Sequence, residues 1–108
     1  MPWIRACSTG DIDEEDVGRF DHEGRTFAIY HAPDGDFFAT DGLCTHEAIH
    51  LADGLVMDYV IECPNHNGRF DYRDGEAMGA PVCVNLRTYK VKVEGDDVMI
   101  ELWPCPAW

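Results

Sequence analysis

At 108 residues, 45% of them apolar and 27% charged, the chain suits one globular domain over residues 1–108 and is too short for two. Acids outnumber bases 21 to 8 for a formal charge of −13, a field that repels phosphate backbones and anionic lipid. No nucleic acid and no membrane partner is therefore expected; the charge suits recognition of a basic protein face and equally serves solubility alone.

Taken in chain order, Met1 to Gly10 has no apolar h-region, and no apolar run reaches the ~20 residues that cross a bilayer. The protein is expected to be cytoplasmic. Asp11 to Asp16 is an acidic run expected to form a solvated turn or short helix. Thr26–His31 and Asp36–Thr40 are β-prone and flank Ala32-Pro33-Asp34-Gly35, which predicts a hairpin. Gly54–Met57 and Tyr59–Cys63 predict a second hairpin turning near Asp58, entered through Ala52-Asp53-Gly54. Thr88–Glu94 alternates polar with apolar, Gly95-Asp96-Asp97 turns, and Val98–Leu102 follows as its partner. No long stretch has period 3.6. The expectation is an all-β, small antiparallel sandwich or barrel with its cysteine and histidine loops at one end.

The five cysteines are Cys7, Cys44, Cys63, Cys83 and Cys105. An odd count without a secretion signal points to metal or free thiols, not to a disulfide framework. Cys44-Thr45-His46 is followed after sixteen residues by Cys63-Pro64-Asn65-His66. Converging, the two loops offer two sulfurs and two nitrogens. Zinc accepts such a set, so a structural zinc module is one alternative, although zinc fingers usually separate paired ligands by two to four residues.

With C-T-H, the gap, and the run CPNHNGRFD from Cys63 to Asp71, the sequence resembles the Rieske family. The likeness continues through Gly75, Ala80-Pro81-Val82 and the closing hairpin, and points to the ferredoxin components of aromatic-ring-hydroxylating dioxygenase systems. It implies one 2Fe–2S cluster, with Cys44 and Cys63 on one iron and His46 and His66 on the other. Neutral histidines leave the oxidised centre uncharged, which raises its potential above the plant-type value of about −400 mV.

High-potential relatives carry an extra cysteine in each ligand loop, where this chain has Ala48 and Asn65. They also place serine and tyrosine hydroxyls where Gly68 and Phe70 stand. Fewer donors to sulfur imply the low-potential class, and Glu47 pushes the same way. The implied role is one-electron transfer from a flavin-dependent ferredoxin reductase, a flavoprotein, to a terminal Rieske oxygenase, with no catalysis by this chain. A nitrite-reductase small-subunit-like Rieske domain is the other alternative.

Ala80-Pro81-Val82 matches the loop that covers the cluster, and the contact patch would comprise Ala48, Ile49, Pro64 and Pro81. His50 is expected on the surface, His22 and His31 on the surface or in strands, and Cys83 facing the core. Cys7, Cys105 and the tail Trp103–Trp108 receive no role.

Overall fold

The run Phe27–Tyr30 has no polar residue to turn toward water, and such a strand needs cover on both faces. The computed structural model, which describes residues 3–45, 49–64, 68–79 and 84–102, provides it. Phe27 and Ile29 enter one core, while Ala28 and Tyr30 enter another on the opposite face. The strand carrying them is central.

Among the described residues there is no α-helix, only short 3₁₀ turns at Thr9–Asp11 and Leu51–Asp53. The strands are β1 (Trp3–Ser8), β2 (Asp16–His22), β3 (Arg25–His31), β4 (Phe37–Asp41), β5 (Leu55–Met57) and β6 (Val60–Glu62). They continue as β7 (Arg69–Asp71), β8 (Glu76–Ala77), β9 (Thr88–Tyr89), β10 (Val91–Glu94) and β11 (Asp97–Glu101). Three antiparallel sheets result, ordered β1-β11-β10, β2-β3-β4-β9 and β5-β6-β7-β8. The all-β antiparallel expectation is met.

Both central hairpins form as expected. β3 pairs β4 with Tyr30 opposite Phe38, and β5 pairs β6 with Val56 opposite Ile61. Asp58 makes the second turn at φ +53°. Thr88–Glu94, expected as one strand, is two. Tyr89 pairs with Ala39 in the central sheet, whereas Val91 pairs with Ile100 in the sheet of β1. Lys90 is the crossing point. The acidic run is the solvated turn expected, its five acids exposed, while Ile12 within it is buried and lies against Gly18.

Two cores follow from the two faces of β3. One gathers Phe27, Ile29, Ala39, Val98 and Ile100 between the central sheet and that of β1. The other joins Tyr30 to Ile61, Phe70 and Tyr72 of the β5–β8 sheet, and it contains both Cys44 and Cys63. Each large apolar side chain so buried contributes roughly 1.5–3 kcal/mol. Tyr30 and Tyr72 stack at 4.5 Å with planes 3° apart, and the Tyr72 hydroxyl donates to the Asp58 carbonyl at 2.5 Å. These aromatic contacts dock the cysteine-bearing sheet on the central one.

Candidate metal centre

The first cysteine loop leaves β4 at Asp41 and closes on itself within ten residues. Leu43 and His50 form an isolated antiparallel bridge across its neck. The Cys44 amide donates to Ile49 O at 2.9 Å, and the Leu51 amide donates to Gly42 O at 2.8 Å. The second loop is the tip of the β6–β7 hairpin, where the Cys63 amide donates to Gly68 O at 2.7 Å. Just below it, Glu62 faces Arg69 in register, and the Arg69 guanidinium donates to its carboxylate at 2.9 Å. Each cysteine thus stands at a neck fixed by its own backbone.

Cys44 is 5% exposed and Cys63 is 1% exposed, within one apolar group that includes Leu51, Ile61, Phe70 and Leu86. A bare thiolate would be costly in that setting, and a bound cation removes the cost. Soft sulfur donors sunk in an apolar shell fit an iron–sulfur group by donor chemistry. A third segment approaches the site, since the Thr45 hydroxyl donates to Val84 O at 2.7 Å. That segment is anchored in turn by the Leu86 amide on Gly75 O and by the Ala77 amide on the Asn85 side chain.

The structure therefore brings two of the four expected ligands together. His46 and His66 lie outside the described residues, as do Glu47, Ala48, Asn65, Ala80-Pro81-Val82, Cys83 and the tail with Cys105. Among the described residues no group of three or more potential metal donors forms. Cys7 sits apart, half-buried in β1 beside the other core, its thiol pushed up by burial and by Asp11. Of the contact patch, Ile49 is half-buried and Pro64 exposed. His22 and His31 lie in strands, and the His31 ring reaches Ile12 O at 2.8 Å.

His50 departs from expectation: it is 6% exposed, not a surface residue. Its ring accepts the Ala52 amide at 3.0 Å and meets the Thr26 hydroxyl at 2.8 Å. The ring caps the 3₁₀ turn Leu51–Asp53, a contact that no local sequence pattern marks for a histidine.

A small antiparallel domain with two buried thiols at loop necks offers a donor pair suited to a metal–sulfur group. Residues 2–90 match the Rieske [2Fe–2S] domain, and the chain belongs to that family. It is 47% identical over 100 residues to the ferredoxin component of the naphthalene 1,2-dioxygenase system of Pseudomonas aeruginosa, covering 93% of this chain and 95% of that relative. The Sphingomonas yanoikuyae B1 ferredoxin superposes with a TM-score of 0.87 at 33% identity, over 94% of this chain and 99% of the other. A chain from the complex of reduced oxygenase and oxidized ferredoxin in carbazole 1,9a-dioxygenase gives 0.85 at 31% identity, over 91% of each. The protein is a Rieske-type electron carrier with one 2Fe–2S cluster, not a catalytic oxygenase.

Proposed function

We propose that this protein is a low-potential ferredoxin serving an aromatic-ring dioxygenase system in the cytoplasm, as one domain over residues 1–108, with Cys44, His46, Cys63 and His66 as cluster ligands. It takes electrons from a flavin-dependent ferredoxin reductase and gives them to a terminal Rieske oxygenase. The observation that carries the reading is the burial of Cys44 and Cys63 in one apolar group, each at a loop neck closed by a backbone hydrogen bond.

When bound, the cluster stores and releases one electron. Leu51, Ile61, Phe70 and Leu86 keep water from the cysteine sulfurs, so little solvent reorganises when the charge changes. Gly68 and Phe70 offer no hydroxyl to sulfur, which sets the potential near the low end of the Rieske range, about −150 mV. His46 and His66 would hold the cluster through one ring nitrogen each, and the other nitrogen would be available to a partner's acceptor. The charge of −13 steers basic partner faces toward encounter. The likeness to the complex of oxygenase with ferredoxin supports an oxygenase as acceptor. No helix among the described residues is long and apolar enough to cross a membrane.

The purified protein should carry about two irons and two acid-labile sulfides per chain. Replacing any of Cys44, His46, Cys63 or His66 by Ala should abolish both, and because metal binding is coupled to folding it should lower the unfolding midpoint as well. Stoichiometric zinc in freshly prepared protein, or full iron content in one of these variants, would overturn the assignment.

A further inference from the structure

His50 has both ring nitrogens engaged although it lies almost out of reach of water. Nδ1 accepts the Ala52 amide at 3.0 Å, which places the ring proton on Nε2. Nε2 lies 2.8 Å from Thr26 Oγ1. That hydroxyl donates to Asp21 at 2.5 Å, and Asp21 is also met by Arg19 at 3.1 Å. With the Thr26 proton committed to Asp21, the Thr26 oxygen accepts from His50. The donors run in one direction, from the first cysteine loop through Thr26 to β2.

The backbone around the ring is arranged to admit it. A Cβ on Gly42 would stand 2.6 Å from His50 Nε2 and 3.0 Å from the Phe27 nitrogen, so only glycine leaves the space. The Gly42 amide donates to Thr26 O at 3.0 Å, and Gly42 O accepts from Leu51 at 2.8 Å. The imidazole therefore lies where the outgoing and returning arms of the loop meet the start of β3.

We infer that His50 is a positioning residue for the first ligand loop, pinning its neck through Thr26 so that Cys44 is presented in one geometry. This rests on the assignment of Cys44 and His46 as ligands. The two bonds need an acceptor on the near side of the side chain and a donor on the far side. Asparagine supplies the first at this position and cannot also reach Thr26, whereas a neutral imidazole supplies both in one rigid plane. Burial holds the ring neutral, with Arg19 acting in the same sense and Asp21 and Asp53 opposing.

The test uses the full iron-loaded chain and the variants His50→Asn, Thr26→Val and their combination. His50→Asn keeps an acceptor for Ala52 and cuts the link to Thr26. Thr26→Val removes the same link from the other end with a residue well suited to a strand. Each should speed iron release to a chelator about fivefold, the factor that one lost hydrogen bond represents. Each should also broaden the electron paramagnetic lines of the reduced cluster and raise amide exchange over residues 43–53, leaving residues 91–101 unchanged. The double variant should be no faster than Thr26→Val, which also loses the bond to Asp21, because the His50–Thr26 link is lost only once. Parental release, line shape and exchange in both single variants would overturn the inference, and additive effects would show that His50 does not act through Thr26. An iron-free parent would instead overturn the ligand assignment, and the exchange measurement, which needs no iron, would still decide whether His50 pins the neck.

Discussion

Replacing Gly75 by Ala and, separately, Gly24 by Ala divides two costs that usually arrive together. Both glycines sit at φ +78°, so each new side chain meets the same left-handed strain, about 1 kcal/mol. At Gly24 a Cβ would find nothing within 4 Å, and strain is the whole cost. At Gly75 it would stand 2.1 Å from Leu86 O and 3.0 Å from the Leu86 carbonyl carbon. Those atoms are backbone and cannot swing aside, so the Leu86 segment must retreat by about 1 Å to reach ordinary contact. The retreat breaks the bond from the Leu86 amide to Gly75 O, now 2.8 Å, at a net cost of about 1 kcal/mol. It also withdraws Leu86 from the apolar group holding the cysteines, losing part of the ~2 kcal/mol its burial contributes. Gly75→Ala should therefore cost about 2–4 kcal/mol against about 1 for Gly24→Ala, a large share of a domain's usual 5–15. Urea unfolding of both iron-loaded variants, followed by far-ultraviolet circular dichroism, measures the difference. Iron release should quicken in the Gly75 variant alone, because Val84, which accepts from Thr45, lies two residues before Leu86. Equal destabilisation of the two would refute the reasoning from close approach.

Phe70→Tyr brings a hydroxyl into the apolar group that holds both cysteines, and one hydrogen bond to sulfur of about 1 kcal/mol should raise the midpoint by roughly 40 mV. Voltammetry showing an unchanged or lower value would count against the low-potential reading. The His50 imidazole is held below its ordinary 6.5, first by burial, so the unfolded chain binds the extra proton and stability is lost as pH falls from 6.5 toward the lowered value. The urea midpoint should drop between about pH 7.5 and 5.5 in the parent and drop less in His50→Asn; parallel slopes would show that His50 is not the group responsible. Added salt should slow electron transfer to a terminal oxygenase while leaving the midpoint potential in place. Charge reversal at Glu47 should slow transfer more than reversal at Glu94 in β10, and stopped-flow rates in the opposite order would move the docking face away from the ligand loops.

Much of the fold was legible because hairpins are local. Ala32-Pro33-Asp34-Gly35 and Asp58 marked their turns, and the apolar runs beside them marked the strands. Thr88–Glu94 misled because alternation continues without interruption through a strand that changes sheets, and only its partners reveal the crossing at Lys90. β2 is largely polar and exists by pairing along the whole of β3, while β1 is interrupted by an irregularity between Arg5 and Cys7. Neither carries a clean period of its own. At the site, the two C-x-H and C-x-x-H clusters identified the cysteines that the fold buries together. The burial of His50 depends on Thr26, which lies twenty-four positions earlier, and no local pattern announces such a partner.

The β5–β8 sheet is a meander in which every strand pairs with the next one in sequence, whereas β1 reaches its partner β11 across almost the entire chain, with Arg5 bonded to Asp97 at a separation of 92 residues. Closing a short segment sacrifices less chain freedom than closing a long one, and local contacts form sooner. Folding kinetics thus divides the molecule: both cysteine loops, each shut by near neighbours, can assemble while the terminal strands are still apart. The terminal sheet therefore carries the largest closure cost in the molecule, and the meander bearing Cys63 the smallest.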